Sequence, residues 1–427
     1  MSSKRLWRIA ALSLILVMLI AACAPEPVVE TVVVTEIVEV AGEEKIVEKV
    51  ITTTPEAVKD AAAPTMKACY IYVGPIGDYG WTHAHNVGRL YVESQFDWLE
   101  TAYAESVPEA DADRFLDRFV MEEGCDVIFT TSFGFMDATI TAAEKYPDTL
   151  FFHCSGFMRA PNLGNYMADF YQLYYLNGLM AGALSKTGKI GYVGAHPIPE
   201  VVRHINAFTL GVQEVNPDAT MDVRWLMAWY DPAAAREASE ALIADGVDTL
   251  AFTEDSPVVV EVGQEYMELG QPVYTFSHYS PMGDFGPDSA VSGQLVDWGI
   301  IYEDILMKAY LGVYDNTNLQ DVDYWWLIRE GGAVLGAYFD EPINPAFEED
   351  LKAVTVTDPF LGEINVYDLI YKRIEQMTDP AMLFDPFSGP IYDQEGTLRI
   401  EAGQRATYFE LLSIDWFVEG NVGSIPR

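Results

Sequence analysis

The sequence predicts an α/β fold made of two lobes, each with a parallel sheet, around a hinge and a cleft. From residue 67 onward, short apolar runs that suit buried strands alternate with segments of helical spacing. The alternation occurs in two successive series, which is typical of parallel sheets covered by helices. Roughly 360 residues follow position 66, enough for two domains with separate cores.

Residues 1–22 are typical of a bacterial secretory signal peptide. Basic residues among the first eight precede an apolar run from Ile9 to Ile20, and small residues precede Cys23. A run of about 12 apolar residues is too short to cross a bilayer core of roughly 30 Å. The ending resembles a lipobox, so we expect Cys23 to carry a lipid at the extracytoplasmic face of the cell membrane. An ordinary signal peptide with a chance cysteine is the alternative.

Residues 23–65 are interpreted as an acidic tether that begins at the lipidated cysteine. Val, Glu and Thr alternate loosely here, with Pro near both ends and no aromatic residue or Leu. Such a segment cannot bury a core of its own. The alternation also fits a strand, but we predict a disordered, solvated spacer that holds the folded part away from the membrane.

The charge balance and the motifs exclude several classes of function. The chain has 65 acidic and 25 basic residues, a formal charge of −40, which repels nucleic acid and anionic lipid surfaces. Few Arg and Lys residues are available to clamp a phosphate, so a nucleotide ligand is not expected. The His residues lack metal-ligand spacing and there is no Gly-x-Ser-x-Gly elbow. We therefore predict no cofactor, no metal and no catalytic residue.

The first lobe is predicted over residues 66–187. The run ACYIYV at 68–73 suits a strand buried on both faces, and after a glycine-rich turn residues 82–99 can form a helix. The next strands are ETAYAESVP, DVIFT and TLFFHCS, and the helices between them are EADADRFLDRFVMEEG and MDATITAAEKYP. A helix over 176–185 closes the series, and Lys186-Thr187-Gly188 is a candidate hinge.

Three further cysteines, Cys69, Cys125 and Cys154, lie in or beside these apolar runs. Their placement favours small buried side chains. One disulfide is the alternative in an exported protein, and the odd count would then leave a free thiol.

The second lobe is predicted over residues 188–293. Its strands are KIGYVGA, MDVRWLMAWY, DTLAFT and PVYTF, and its helices are 201–211, AAAREASEALIADG and VVVEVGQEYMELG. A segment near 294–320 is expected to return to the first lobe and one near 321–345 to the second. Residues 346–427, rich in Pro, Asp and aromatic residues, are expected to form a C-terminal extension packed on the lobes. We expect a monomer.

Turns at the predicted strand ends in both halves combine an aromatic residue with an acid or an amide. Carboxylates can accept hydrogen bonds from ring N–H groups or sugar hydroxyls, and indole rings offer a flat face for stacking. The alternatives are that Trp81 belongs to the core and that Asp255 only caps a helix. Asp231, followed by Pro232, is interpreted as an N-cap. The candidate ligand-binding residues are Asp78, Trp81, Ser132, Phe133, Tyr171, Trp229, Tyr230, Asp255 and His278.

The position of these turns predicts a small-molecule site. Ligands of open α/β sheets bind outside the carboxyl ends of the strands, and clefts between domains are preferred sites. The residue types favour a planar, hydroxylated, uncharged ligand.

Several motifs follow one another in a characteristic order: GDYGWTHAH, CDVIFTTSFGFMD, KTGKIGYVGAHPIPEV, WYDPAAAREAS and GPIYDQEGTL with LLSIDWFVEGNVGSIP. This order resembles the basic membrane protein family, which consists of lipoprotein substrate-binding proteins of ABC importers. The resemblance implies a type I periplasmic-binding-protein fold, with two Rossmann-like lobes joined by three crossovers. It also implies an ABC permease and its ATPase as partners.

The resemblance further implies a purine nucleoside or purine base held between aromatic rings of opposite lobes. By position, Asp78 and Trp81 in the first turn and Phe133 in the second would meet the base. Trp229 or Tyr230 of the second lobe would supply a stacking ring, and Asp255 would meet the ribose. Familiar nucleoside binders carry Asp-x-Ser-Phe-Asn in the first turn, where this chain has DYGWTH, so nucleoside and free base both stay open.

Two other functions stay open. One is a receptor that signals through a membrane sensor. The other is an extracellular nucleoside hydrolase that uses Glu254 or Asp255, because paired carboxyl groups suit acid–base chemistry if both face the cleft.

Overall fold

The computed structural model describes residues 30–40, 43–53, 66–382 and 384–427. The predicted signal peptide and the lipidation site at Cys23 lie outside the described residues. In the described part of the chain, no helix has both the length and the apolar character needed to cross a membrane.

Two antiparallel strands, β1 (Glu30–Val40) and β2 (Glu43–Thr53), occupy part of the predicted tether. This strand pair and residues 66–427 belong to two different units of the structure. The strands differ from the disordered spacer that we predicted for residues 23–65. Val, Ile and Thr favour strands, and they alternate in both segments.

The first lobe follows the predicted alternation of strand and helix. Strands β5 and β7 are buried along their whole length, as expected for a parallel sheet covered on both faces. In chain order the elements are β3 (Met66–Ile71), α1 (Trp81–Gln95), β4 (Leu99–Ala104), α2 (Ala112–Met121), β5 (Val127–Thr130), α3 (Met136–Lys145), β6 (Leu150–Cys154) and β7 (Leu163–Ala168).

The second lobe repeats this alternation. Helix α6 begins where predicted, because the Asp231 carboxylate accepts from the Ala234 amide at 3.0 Å and Pro232 occupies the first turn. In chain order the elements are α4 (Tyr171–Leu184), β8 (Lys189–Gly194), α5 (Pro199–Val215), β9 (Thr220–Trp225), α6 (Pro232–Ala244), β10 (Thr249–Phe252), α7 (Val258–Glu268), β11 (Tyr274–Tyr279) and β12 (Ala290–Val296).

The chain then passes between the lobes before it forms the extension. Helix α8 packs on α1, where a Cβ on Gly88 would meet the Gly299 nitrogen at 2.9 Å. The elements are α8 (Trp298–Tyr310), β13 (Asp323–Trp326), β14 (Ala333–Leu335), α9 (Glu348–Lys352), β15 (Thr355–Asp358), β16 (Gly362–Asn365), α10 (Val366–Thr378), β17 (Ile391–Tyr392), β18 (Leu398–Ile400), α11 (Tyr408–Leu412) and β19 (Asn421–Val422).

The two sheets have the doubly wound orders of an α/β protein. The first has the order β13-β7-β6-β5-β3-β4, with parallel neighbours throughout. The second has the order β14-β12-β11-β10-β8-β9-β19, parallel except for the β12–β14 pair. Within the described residues, the chain connects the sheets three times: from β7 to β8, from β12 to β13, and from β13 to β14. Two α/β lobes and three crossovers are the expected architecture.

The first crossover lies earlier in the chain than predicted. Helix α4 was expected to close the first lobe, but the Tyr174 hydroxyl donates to the Phe252 carbonyl at 2.6 Å. The Asn177 amide donates to Gln294 at 2.7 Å, so α4 packs on the second lobe. The candidate hinge at 186–188 also lies on that lobe, because Asp248 accepts from two of its backbone amides at 2.7 and 2.9 Å. The chain therefore crosses between β7 and α4.

The last crossovers also differ in position from the prediction. Residues 323–326 were expected in the second lobe, but they pair with residues 165–168 of the first sheet. The return to the second lobe comes with β14, which pairs with β12. Without β13, strand β7 would be the edge of the first sheet, and the short run DYWW pairs with that edge.

Cys69 and Cys125 form a disulfide, with their Cα atoms 5.9 Å apart. We favoured unpaired buried side chains, so this interpretation is wrong for these two residues. Strands β3 and β5 are parallel neighbours, and Cys125 lies two residues before β5, which brings it beside β3. In the described part of the chain Cys154 is a free, buried cysteine.

The C-terminal extension packs on the helices of the second lobe. Arg373 of α10 donates to the Tyr175 hydroxyl at 3.0 Å and to Glu214 at 2.7 Å. Strand β19 adds to the second sheet beside β9. The extension reaches the first lobe at Tyr408, whose hydroxyl donates to Asp323 at 2.8 Å.

Candidate functional site

A cavity lies between the two lobes, at the carboxyl ends of both sets of strands. This is where ligands of open α/β sheets bind. The first lobe contributes apolar and hydroxyl side chains, and the second contributes the carboxyl groups. The lining residues are Val73, Trp81, Thr131, Ser132, Phe133 and Ser155 from the first lobe and Ile198, Glu200, Trp229, Asp255 and Tyr279 from the second.

Trp81 is both a core residue and a wall of the cavity. Its indole N–H donates to the Thr131 carbonyl oxygen at 2.5 Å, which holds the ring in place. The ring meets Tyr279 of the opposite lobe edge to face, with centroids 4.9 Å apart. The two interpretations of Trp81 therefore do not exclude each other.

Ser132 and Phe133 occupy the turn between β5 and α3, as predicted. The Ser132 hydroxyl donates to Glu109 at 2.5 Å, so its proton is already used within the first lobe. Phe133 is half-buried and forms part of the cavity wall. Of these two residues, Phe133 is therefore the one whose side chain is left to contact a ligand.

Trp229 and Asp255 lie on neighbouring loops of the second lobe. The Asp255 amide donates to the Trp229 carbonyl at 2.8 Å, which fastens the loop after β9 to the loop after β10. The Trp229 ring lies 4.9 Å from the imidazole of His196. A half-buried indole is thus fixed opposite the aromatic residues of the first lobe.

The Asp255 carboxyl group is buried without a partner. The residue is 1% exposed, and neither carboxyl oxygen has a hydrogen bond. Burial, followed by the charges of Asp78 and Glu254, raises the pKa of Asp255 well above its usual range. Leaving such a group unsatisfied costs about 1–3 kcal/mol or more. A hydrogen-bond donor on a ligand would remove this cost.

The sequence did not single out Glu200 or Tyr279. Glu200 lies in the first turn of α5, and burial raises its pKa to about 7 although the nearby Arg203 opposes the shift. The signal for it was an acid at the start of the helix that follows the strand KIGYVGA, five residues after the end of that run. Tyr279 ends β11 with φ of 61°, and Ser155 after β6 has φ of 59°. Positive φ in residues with a Cβ clusters at ligand sites.

His278 was predicted in the site, but its neighbour Tyr279 lines the cavity instead. The His278 ring is buried against the Tyr279 ring, with centroids 3.4 Å apart, and its Nδ1 lies 3.0 Å from the Gln294 amide nitrogen. Burial lowers the pKa of His278 well below its usual range. The positive φ of Tyr279 interrupts the regular alternation of side chains at the end of β11, and Tyr279 is the residue that reaches the cavity.

Three other candidates lie outside the cavity lining. Asp78 accepts from the amides of Gly80 at 2.9 Å and His83 at 2.9 Å, so it holds the start of α1. Burial raises the pKa of Asp78 to about 6. The Tyr171 hydroxyl donates to Asp385 of the extension at 2.7 Å. Tyr230 is 43% exposed on the surface.

The lobes touch beside the cavity. The Ser280 hydroxyl of the second lobe donates to the Gly80 carbonyl of the first at 3.3 Å. The cleft is therefore closed, and its walls come from both lobes. Within the described ranges, no group of three or more His, Cys, Asp or Glu side chains is arranged to hold a metal ion.

Comparison with known proteins agrees with this architecture. A family model described as ABC transporter substrate-binding protein PnrA-like matches residues 65–328. A purine-binding protein of Brucella abortus is 34% identical over 370 residues, 86% of this chain and 95% of that protein. A putative ABC transporter glucose-binding protein of Haloferax volcanii is 36% identical over 362 residues, 85% of this chain and 82% of that protein.

Solved structures support the fold. A solute-binding protein of an ABC transporter from Aeropyrum pernix superposes with a TM-score of 0.63 at 15% identity, over 75% of this chain and 93% of that one. A solute-binding protein from Conexibacter woesei gives 0.55 at 17% identity, over 75% and 99%. Both support a type I periplasmic-binding-protein fold. With the family model and the relatives, they place this chain in the Bmp family of PnrA-like ABC transporter substrate-binding proteins.

Proposed function

We propose that this protein captures a purine base or purine nucleoside in the cavity between its lobes and delivers it to an ABC permease powered by an ATPase. The observation that carries the proposal is the buried, unpartnered Asp255 carboxyl group in a cavity walled by aromatic rings from both lobes. Aromatic walls stack on planar heterocycles, and a carboxyl group accepts from ring N–H groups or ribose hydroxyls.

Hinge closure couples capture to delivery. Trp81 and Phe133 belong to the first lobe, whereas Trp229 and Asp255 belong to the second. A ligand contacts both sets only when the cleft is closed, so binding shifts the population toward the closed state. The permease then receives a closed, loaded protein.

The charge of the cavity favours a neutral heterocycle. No Lys, Arg or His is among the residues that line it, so a phosphate would meet two carboxyl groups and no cation to compensate its charge. The Brucella relative, named for purine binding, favours the same class of ligand. The Haloferax relative, named as a putative glucose-binding protein, makes a sugar the main competitor.

The proposal includes a lipid anchor on Cys23 and a monomer at the extracytoplasmic face of the membrane. A Cys23→Ser variant tests the anchor, because it would move the protein from the membrane fraction to the soluble fraction. Retention of this variant in the membrane would contradict lipidation at that residue.

Identification of the co-purified ligand tests the central proposal. The full chain is purified under native conditions, unfolded to release its ligand, and the released compound is identified by mass spectrometry. Refolded protein is then titrated with that compound by calorimetry, and a dissociation constant of about micromolar or tighter is expected. A purine base or nucleoside supports the proposal. A sugar or another compound keeps the solute-binding role and contradicts the purine.

A further inference from the structure

The charged groups that line the cavity are all acidic, and all of them come from the second lobe. They are Glu200 and Asp255, and no basic residue shares the lining with them. The first lobe lines the same space with hydroxyl and apolar side chains. The polar recognition of a ligand therefore depends on two carboxyl groups without a compensating protein cation in contact with the cavity.

Asp255 has no structural task that would explain its burial. The sequence allowed it to cap the next helix, but α7 begins after Pro257 without a side-chain cap. The neighbouring Glu254 accepts from the Ser256 hydroxyl at 2.6 Å, whereas both Asp255 oxygens stay without a partner. Asp255 is thus a buried carboxyl group that lies near the Trp81 backbone amide but has no hydrogen bond of good geometry, and a ligand donor can satisfy it.

Glu200 is a second carboxyl group that faces the cavity. The residue is 8% exposed and lies in the cavity lining. Arg203, one turn later on α5, is committed elsewhere: it pairs with Asp169 at 2.7 Å and donates to the Leu411 carbonyl at 2.6 Å. The charge of Arg203 lowers the pKa of Glu200 without a hydrogen bond, so Arg203 leaves the Glu200 carboxyl oxygens free for a ligand.

Tyr279 adds to the acidic side of the cavity. Burial, followed by the charges of Glu200 and Asp255, raises the pKa of its hydroxyl group, so the phenol proton is held firmly. Its ring packs edge to face with Trp81, which fixes the side chain in position.

An ionised carboxylate accepts hydrogen bonds and cannot donate them, and Glu200, whose pKa is about 7, is mostly ionised at pH 8. Asp255, whose pKa is raised well above its usual range, still offers a carbonyl oxygen as an acceptor when it is protonated. An exocyclic amino group has two donors for these acceptors, whereas an oxo group has only lone pairs, which ionised Glu200 repels. We propose that Glu200 and Asp255 determine specificity, and select purines that carry amino groups over purines that carry oxo groups at the same ring positions. This inference rests on the proposed function, because it concerns how that same site chooses among purines.

The test compares 2,6-diaminopurine with xanthine, which carries oxo groups at both positions. Titration calorimetry on the full chain at pH 8 should show that 2,6-diaminopurine binds at least about ten-fold more tightly, the scale of a hydrogen bond to a charged group. Glu200→Gln and Asp255→Asn introduce amides that can donate to an oxo group. At least one of them should reduce the preference to less than about three-fold, mainly by tightening xanthine binding.

Glu214→Gln is the matched control. This carboxyl group lies on the same helix, α5, as Glu200, pairs with Arg373 and does not line the cavity, so the preference should be unchanged in this variant. Equal or tighter binding of xanthine by the unmodified protein overturns the inference. So does a preference that persists in both Glu200→Gln and Asp255→Asn. If one variant fails to fold, the other variant and the unmodified protein still decide.

The two proposals fail in different ways. Binding of both purines with equal affinity leaves the purine-binding proposal intact and overturns the selectivity. Binding of neither 2,6-diaminopurine, xanthine, adenine nor guanosine overturns the purine-binding proposal, and the selectivity with it.

Discussion

The backbone of Gly80 lies against the backbone of Asp255 across the closed cleft. A Cβ on residue 80 would be 2.7 Å from the Asp255 Cα atom, closer than real Cβ contacts come. Gly80 immediately precedes Trp81, so the contact joins the start of α1 to the loop that carries the unpartnered acid. Closure of the lobes therefore depends on the absence of a side chain at position 80.

Gly80→Ala should impair closure and weaken ligand binding. The added methyl group would meet backbone atoms, which cannot move aside as the end of a flexible side chain can. The ligand then loses full contact with one lobe, and we expect its dissociation constant to rise at least about ten-fold. Calorimetry measures the affinity, and small-angle X-ray scattering measures whether the ligand still makes the protein more compact.

Gly77→Ala is the control in the same turn. A Cβ at that position meets no atom within 4 Å, so affinity and compaction should match those of the unmodified protein. Normal compaction in the Gly80→Ala variant would show that the lobes close without this contact.

Trp229→Ala should weaken binding by the loss of one stacking face. Stacking of an aromatic side chain on a base is worth about 1–3 kcal/mol, or roughly ten- to hundred-fold in affinity. The adjacent Tyr230→Ala is the matched control, because Tyr230 is exposed and does not line the cavity. Equal effects of the two substitutions, measured by calorimetry, would contradict the placement of Trp229 in the site.

The fold was predictable because unbroken apolar runs and helical spacing alternate along the chain, and buried parallel strands require both. The site was less predictable, and β11 shows why. All of its residues are buried, so no alternation of polar and apolar residues tells which face meets the cleft. The sequence pointed to His278, whereas the structure places Tyr279 there.

Asp78 and Asp255 show a second limit. Each is an acid that follows a buried strand and precedes a helix. Asp78 accepts from backbone amides at the start of α1 at 2.9 Å, whereas the Asp255 oxygens lie near the Trp81 amide of the same helix without a hydrogen bond of good geometry. Whether an acid at a strand end caps a helix or faces a ligand depends on the path of the turn, and neighbouring residue types do not define that path.

Removal of the Cys69–Cys125 disulfide should destabilise the first lobe. The bridge closes a loop with a sequence separation of 56, for which a chain-entropy model gives about 4 kcal/mol. A Cys69→Ala/Cys125→Ala variant should therefore unfold at a lower denaturant concentration, and a reducing agent should destabilise the unmodified protein but not this variant. Cys154→Ala, which removes a buried thiol without opening a bridge, should keep the sensitivity to reductant.

The ligand-free protein should become less stable as the pH rises from 5 to 8. Burial raises the pKa of Glu254 to about 8, with Asp78 and Asp231 adding to the shift and hydrogen bonds from Ser256 opposing it. Because the folded state holds this proton more tightly than the unfolded state, its contribution to stability is complete below the ordinary pKa and is lost as the pH rises toward 8. The size of the effect is on the order of a few kcal/mol.

Glu254→Gln isolates this contribution from the repulsion among the many other carboxylates. The amide has the shape of the protonated acid and does not titrate, so the variant should lose less stability between pH 5 and pH 8 than the unmodified protein. This window also avoids acids such as Asp169 and Asp358, whose pKa values are lowered and which stay ionised above pH 5. Denaturant unfolding at both pH values measures the difference. An identical loss in the two proteins would show that Glu254 is already ionised in the folded state at neutral pH.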